Sequence, residues 1–266
     1  MSDKCVAVIT GAAGGIGAGL AREAARRGMQ VVLADRDLAG VQEVADGIGA
    51  AAMAIACDVT DPASCEALAE ATYAAHGQVD LLFNNAGVLS TGFIWEISPE
   101  TWQRSLDVNI GGIVNGIRAF VPRLLAADRP ARIINTASVG GFLPSPLMAP
   151  YTSTKFAAVA LTESLAGELK LIKSRIEVSL LAPGPVKSGI FREPPPGSAA
   201  QFHTMMTQLL DEHGLTGDQF APLVLDAVER GEYWIIPQPE ALEPGFSNRN
   251  AVIAERRQPQ FYLVEE

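Results

Sequence analysis

Tyr151 and Lys155 stand four residues apart in "APYTSTKFAAVALTESL", residues 149 to 165. The Ala-rich pattern around them predicts a helix, and residues i and i+4 share a helix face, so the ammonium lies beside the phenol. A free phenol has a pKa of about 10 and is a poor base at neutral pH. A neighbouring cation favours the phenolate and lowers that value, which makes Tyr151 usable as a general acid and base. The same spacing also suits an amphipathic helix with Tyr151 packed and Lys155 reaching solvent along its apolar stem. The pair alone leaves both readings open.

A second group of residues points to a nucleotide. "TGAAGGIG", residues 10 to 17, follows a β-branched run and opens a helical pattern. Gly11, Gly15 and Gly17 let the backbone turn tightly and approach a pyrophosphate, whose charge is favoured by the amides and dipole of a helix N-terminus. Asp35 ends the next strand pattern about 20 residues on, where a carboxylate accepts hydrogen bonds from an adenosine ribose diol and repels a 2′-phosphate. NAD is therefore the expected cofactor. Arg36 is the counterweight, because a guanidinium there can reach the 2′-phosphate of NADP. Asp58, in "CDV", stands either against the adenine or as a turn residue that caps the next helix.

Composition narrows the partners. A chain of 266 residues, 48% of them apolar, buries a substantial core, and its length fits one domain over 1–266. The formal charge of −10 and 20 scattered Lys and Arg residues argue against nucleic acid. Cys5, Cys57 and Cys65 form no C-x-x-C, and His76, His203 and His213 show no H-E-x-x-H spacing. Reduced thiols, a cytoplasmic location and no metal are expected. Gly11, Gly14, Gly15, Gly17 and Gly19 spoil any signal-peptide core near the N-terminus, and no stretch reads as the roughly 20 apolar residues of a membrane span.

The elements that must carry these groups alternate regularly. Strand patterns are read in "CVAVIT", "QVVLAD", "AMAIACD", "VDLLFNN", "ARIINTAS", "RIEVSLLAP" and "EYWII". Helical patterns lie near 15–28, 38–47, 62–76, 99–127 with a break around Gly111, 151–172 and 217–230. Asp61-Pro62 and Ser98-Pro99 offer N-caps with proline at the first helical position, and Gly28 and Gly77 suit C-terminal caps. Right-handed strand–helix–strand units build a Rossmann-type, doubly wound α/β fold, with a seven-stranded parallel sheet covered by helices on both faces. The irregular segments 86–98, 139–150 and 184–200 all follow strand C-termini, where such sheets bind ligands.

Together, "TGAAGGIG", Asp35, "CDV", "NNAG" (84–87), Asn109, Ser138, "YTSTK" and "PG" (183–184), in this order, resemble the short-chain dehydrogenase/reductase family. The resemblance is to its shorter, single-domain branch and covers nearly all of residues 4–236. It implies an NAD-dependent alcohol dehydrogenase or ketone reductase. Tyr151 would exchange the substrate proton and Ser138 would hydrogen-bond the same oxygen. Lys155 would also hold the nicotinamide ribose, and Asn109 would support a water relay from Lys155. Implied cofactor contacts are Gly11, Gly15, Ile16, Gly17, Asp35, Arg36, Asp58, Val59, Asn85, Ala86, Gly87, Tyr151, Lys155, Pro183, Gly184, Val186 and Ser188. Asn84 would stabilise the central sheet. Read on its own, Asn109 is equally a helix-kink residue beside Gly111 and Gly112.

The loops that should border the substrate contain Leu89, Phe93, Trp95, Phe142, Leu143, Leu147, Met148, Phe191, Phe202, Met205 and Met206, with few charges: Glu96, Lys187, Arg192 and Glu193. About half of these apolar residues are expected to close loops onto the core instead. An apolar pocket with a Ser/Tyr polar focus suits a bulky secondary alcohol or ketone, aromatic or alicyclic. His203 lies in the same loop, about 187–215, as a surface residue or a substrate contact. The segments 109–127 and 151–169 are apolar around much of their circumference, and the family habit implies a homotetramer or homodimer. Residues 237–266 extend past the family core with a short proline-bounded helix, placed to cap the substrate pocket or a subunit interface. Other readings are an NADPH-dependent ketone or 3-oxoacyl reductase, an epimerase or dehydratase, and a non-catalytic NAD-sensing regulator.

Overall fold

In the computed structural model, residues 5–191, 195, 197–259 and 261 are described here. Arg192 and Glu193 lie outside the described residues. Short β-branched and aliphatic runs form the strands, and the central ones are buried on both faces, which is what a parallel sheet under two helix layers demands. In chain order the elements are β1 (Val6–Thr10), α1 (Gly15–Arg26), β2 (Gln30–Asp35), α2 (Leu38–Ile48), β3 (Ala52–Ala56), α3 (Pro62–His76), β4 (Leu81–Asn84), α4 (Pro99–Leu106) and α5 (Gly112–Ala127). They continue with β5 (Ala131–Thr136), α6 (Ala149–Leu171), β6 (Ile176–Leu181), α7 (Ala200–His213), α8 (Gly217–Glu229), β7 (Trp234–Ile235) and α9 (Gly245–Ala254).

The seven strands are parallel and ordered β3-β2-β1-β4-β5-β6-β7. The order reverses between β1 and β4, and the loops leaving those two strands diverge to opposite faces, opening a crevice at their C-terminal ends. On one face Leu20, Val41, Phe220 and Val224 bring α1, α2 and α8 onto the sheet. On the other, Leu68, Phe120 and Leu165 do the same for α3, α5 and α6. Both N-cap readings hold: Asp61 accepts from Ala63 N at 3.0 Å and Ser98 Oγ from Thr101 N at 3.2 Å. Gly77 takes the left-handed C-cap, with φ +75°.

The sheet's centre is polar and tightly matched. Asn84 Nδ2 donates to Asn135 Oδ1 at 2.9 Å, and Asn135 Nδ2 to Thr162 Oγ1 at 3.1 Å, tying β4, β5 and α6. Gly116 lets α5 approach this network, because a Cβ there would stand 2.1 Å from Asn84 Oδ1. At the far edge of α1 and α8, Arg27 pairs with Glu23, Asp226 and Glu229 at 2.6 to 2.9 Å. Hydrogen bonds from Arg26 and, less strongly, from Arg27 hold the Glu23 carboxyl down at about 2 against the cost of burial.

Four expectations are corrected. The break near Gly111 is a π-helical turn, Asp107–Gly111, that keeps α4 and α5 one continuous helical run. The third to sixth strand patterns stop early, at Ala56, Asn84, Thr136 and Leu181, and the seventh shrinks to two residues. The loop 187–215 contains α7. The run Pro99–Ala127 is long and apolar enough to cross a membrane by length and composition. Its Ile113, Gly116, Ala119, Phe120 and Leu124 are buried within the protein, and Arg123 on it pairs with Glu66 of α3.

Candidate active site

The crevice at the β1/β4 switch point widens into a cleft of about 1060 Å³. Its floor at one end is the glycine loop. Gly11 (φ +69°) and Gly15 (φ +52°) adopt left-handed conformations, and a Cβ at Gly11 would stand 2.8 Å from Ala86 Cα. Gly17 lies against Gly11, where a Cβ would meet its carbonyl oxygen at 2.2 Å. Gly14, the N-cap of α1, brings no side chain to the first amides, and Gly14, Gly15, Ile16 and Gly17 all line the cleft. Ser188 faces this loop, its Cβ only 2.7 Å from where a Gly15 Cβ would sit. A side-chain-free cradle at a helix N-terminus fits a pyrophosphate.

Asp35 fits the ribose. Its Oδ2 accepts from Ala13 N at 3.1 Å and its Oδ1 from Asp37 N at 3.0 Å, so the carboxylate is fixed at the rim with its charge facing the cleft it lines. Arg36 lines the cleft next to it. Asp58 lines the cleft, and its Oδ1 closes a turn by accepting from Thr60 N at 2.9 Å and Thr60 Oγ1 at 2.8 Å, while the cap of α3 is Asp61. Those bonds hold its carboxyl below the usual range. Val59 is fixed from behind, by Asn115 Nδ2 donating to its carbonyl at 2.8 Å and by the close approach of Gly112. Asn85, Ala86 and Gly87 line the cleft, held by Thr10 Oγ1, which accepts from Asn85 N at 2.9 Å and Ala86 N at 3.1 Å. Thr10 and Asn115 position the site without having drawn attention in the sequence as individual residues.

Farther along the cleft, Ser138, Tyr151 and Lys155 converge from the end of β5 and the first turns of α6. Ser138 Oγ accepts from Gly140 N at 3.0 Å, and the Tyr151 ring flanks the same glycine. Lys155, 3% exposed, donates to Thr136 O at 2.9 Å and holds its ammonium 5.6 Å from the Tyr151 ring centroid. The i,i+4 geometry is as the spacing predicts, but its electrostatic consequence differs. Burial pushes the Tyr151 phenol above its ordinary value, offset in part by the Ser138 hydroxyl, so desolvation rather than the cation dominates. The cation is itself weakened, because burial lowers Lys155 to about 8.

That shift predicts a pH-dependent stability. The unfolded chain holds the lysine proton up to about 10.5 and the folded one releases it near 8. Between those values the unfolded state binds more protons, so stability rises with pH. Lys155→Met is expected to melt above wild type near pH 7, by about 2 kcal/mol, with the gap closing as pH approaches 10.5. Thermal melts of both proteins across this range check it; a gap that does not change with pH contradicts it.

Asn109 is not part of the cleft lining. It is 0% exposed, accepts from Val88 N at 2.8 Å, and donates to Val88 O and Thr154 Oγ1, each at 2.9 Å. Thr154 Oγ1 in turn donates to Tyr151 O at 2.8 Å. Asn109 thus ties the loop after β4 to the turn of α6 that carries Tyr151, with its side chain fully engaged by protein groups. Val186 likewise serves two ends: it lines the cleft and joins the core beneath α8.

The far wall is apolar: Leu89, Val139, Leu143, Met148, Ile190, Phe191, Met206, Leu209 and Leu210 line it. Phe93, Trp95, Phe142, Leu147, Phe202 and Met205 do not. Phe93 stacks on an exposed Trp95 at 4.9 Å, and Phe142 turns away toward Trp234 and Phe246. Glu96 binds Ser198, and Lys187 is absent from the lining. His203 bonds Thr91 Oγ1 at 3.0 Å and packs on Phe191, which pins α7 over the wall. The tail supports the site from behind: Gln238 Nε2 donates to Pro185 O at 3.0 Å, and Arg249 of α9 lies 5.0 Å over Phe156 of α6. Pro183 and Gly184 line the cleft in front of it.

A family model described as short chain dehydrogenase matches residues 5–197. The chain is 33% identical over 256 residues to the C alpha-dehydrogenase of Sphingobium sp. strain SYK-6, covering 90% of this chain and 82% of that one. It is 39% identical over 181 residues to galactitol 2-dehydrogenase of Agrobacterium fabrum, covering 68% and 70%. Among solved structures, a short chain dehydrogenase/reductase from Burkholderia phymatum in complex with NAD matches with a TM-score of 0.92 at 34% identity, over 99% of each chain. The chain belongs to the short-chain dehydrogenase family, and is an alcohol oxidoreductase that uses a nicotinamide cofactor.

Proposed function

We propose that the protein, acting as one catalytic domain, oxidises a bulky, apolar secondary alcohol to its ketone with NAD. The observation that carries this reading is the cleft itself, in which Ser138 and Tyr151 are a polar focus before a wall of aliphatic, Met and Phe side chains. Such a pocket orients a carbinol and desolvates the hydrocarbon around it. A polyol such as galactitol, for which one relative is named, would leave most of its hydroxyls without partners against that wall. Asp35 supports NAD over NADP, since its fixed carboxylate would meet a 2′-phosphate as a like charge. Arg36 keeps an NADPH-dependent ketone or 3-oxoacyl reductase as the second reading.

In the proposed reaction Ser138 Oγ donates to the substrate oxygen and holds it beside the Tyr151 phenol. Tyr151 takes the hydroxyl proton in oxidation and returns it in reduction. Lys155, anchored on Thr136 O, keeps a positive charge beside the phenol and offers its remaining protons to the ribose. Bound NAD supplies the hydride acceptor and a positive ring charge that favours the phenolate. Asn109 and Thr154 hold the Tyr151 turn in register with the loop at Val88. The glycine loop, Asp35, Arg36, Asp58, Val59, Asn85 to Gly87, Pro183, Gly184, Val186 and Ser188 are assigned to the cofactor.

The test is kcat/KM with NAD across secondary alcohols of rising apolar bulk, set beside polyols. Values should rise with aromatic or alicyclic size; a preference for polyols would sink the substrate assignment. We assign a cytoplasmic homotetramer; the exposed Leu125 of α5, Leu171 at the end of α6, Ile172 just after it and Trp234 of β7 support the assembly. Light scattering should give about four chain masses, and a monomer would refute it.

A further inference from the structure

Two thiols meet at the adenosine end of the cleft, and the reaction uses neither. Cys57 follows β3 and lines the cleft beside Asp58 and Val59, and Cys65 lies in α3. They are 3% and 2% exposed, and the segments that carry them are joined next to both thiols, where Asp58 N donates to Ser64 Oγ at 3.1 Å. The Cys65 thiol donates to Val59 O at 3.7 Å, two residues beyond Cys57.

We propose that Cys57 and Cys65 form a modification site, a dithiol that hydrogen peroxide converts to a disulfide through the open cleft and that bound cofactor shields. The roles of the two sulfurs differ. The neighbouring Cys65 thiol, helped by the Ser64 hydroxyl, holds Cys57 below the ordinary thiol range against the cost of burial, whereas the neighbouring Cys57 and burial push Cys65 up. Cys57 is therefore the thiolate that meets the oxidant. It attacks one peroxide oxygen; the O–O bond breaks, giving Cys57 sulfenic acid and hydroxide. Cys65 sulfur then attacks Cys57 sulfur; the S–O bond breaks, and the departing hydroxide takes the Cys65 proton as water. In sum two thiols and one peroxide become one disulfide and two waters.

The consequence for binding rests on the cofactor reading above. A disulfide bond is about 2.05 Å, shorter than any non-bonded sulfur–sulfur contact, so closure draws the Cys57–Val59 segment toward α3. Asp58 and Val59, held now by Ser64, Thr60 and Asn115, are thereby displaced from the wall they form.

Nucleotide-free protein is treated with hydrogen peroxide, alkylated, and read by intact mass and peptide mapping. The expected result is a loss of about 2 Da, a Cys57–Cys65 crosslinked peptide with Cys5 still free, and reversal by dithiothreitol. Saturating NADH should slow the step at least about tenfold, and the linked protein should bind NADH about tenfold more weakly by fluorescence titration. Cys65→Ser and Cys65→Val should bind NADH like wild type and stay unlinked. A Cys57 that reaches the sulfinic acid without linking, or two thiols untouched by peroxide, overturns the site. Equal NADH affinity of linked and reduced forms overturns the consequence. A link that forms in protein unable to bind NADH when reduced leaves the dithiol standing and removes the cofactor reading instead.

Discussion

Tyr151→Phe is expected to lower kcat about a thousandfold while leaving NADH affinity within about twofold of wild type. The substitution removes one oxygen from a side chain at the cleft wall and keeps the ring that packs against Gly140, so the local fold has no reason to change. What disappears is the only group of the Ser138, Tyr151, Lys155 set able to take the carbinol proton. Ser138 is a weak acid whose oxygen already accepts from Gly140 N, and the Lys155 ammonium is committed to Thr136 O. Steady-state rates and NADH titration separate the two effects. Loss of NADH binding in step with turnover would mean that the phenol holds the cofactor rather than the proton.

Asp35→Ala is expected to cut kcat/KM with NAD about a hundredfold and raise it with NADP, reversing the preference between them. The hydrogen bonds proposed to the adenosine ribose would be lost with the carboxylate, and so would the repulsion that a 2′-phosphate would meet beside Arg36. The carboxylate also accepts from Ala13 N and Asp37 N, so the alanine loosens the glycine loop as well. Asp35→Asn discriminates: its amide oxygen can keep one of those bonds while the charge is gone. It should gain NADP activity with a smaller loss for NAD. Equal losses with both cofactors in both variants would make Asp35 a loop anchor only.

Much of this was legible because the residues that build the site are also those whose local chemistry has few alternatives. A glycine that must sit at φ +52° against Ser188, or a carboxylate at the end of a buried strand, announces itself by type and position. Helix α7 was missed because Leu210 is its one buried residue, so "AQFHTMMTQLLDEH" carries only a weak apolar stripe. The π turn at "DVNIG" has no composition signal, and it is what lets a continuous helical run pass Asn109. Phe142 and Trp95 were placed at the substrate by type alone, but an aromatic ring carries no mark of which neighbour it will meet. The Tyr151 shift was misjudged for the same reason: spacing reveals the cation, and only the fold reveals how dry the site is.

The central claim is hydride transfer from a secondary carbinol carbon to NAD with Tyr151 as the base. The most direct measurement is to supply alcohols deuterated at that carbon, with NAD, and to read the reduced cofactor by mass spectrometry. The account predicts monodeuterated NADH from the bulky apolar members and none above background with Tyr151→Phe. Reduced cofactor without deuterium, or deuterated cofactor formed equally well by the variant, would contradict it.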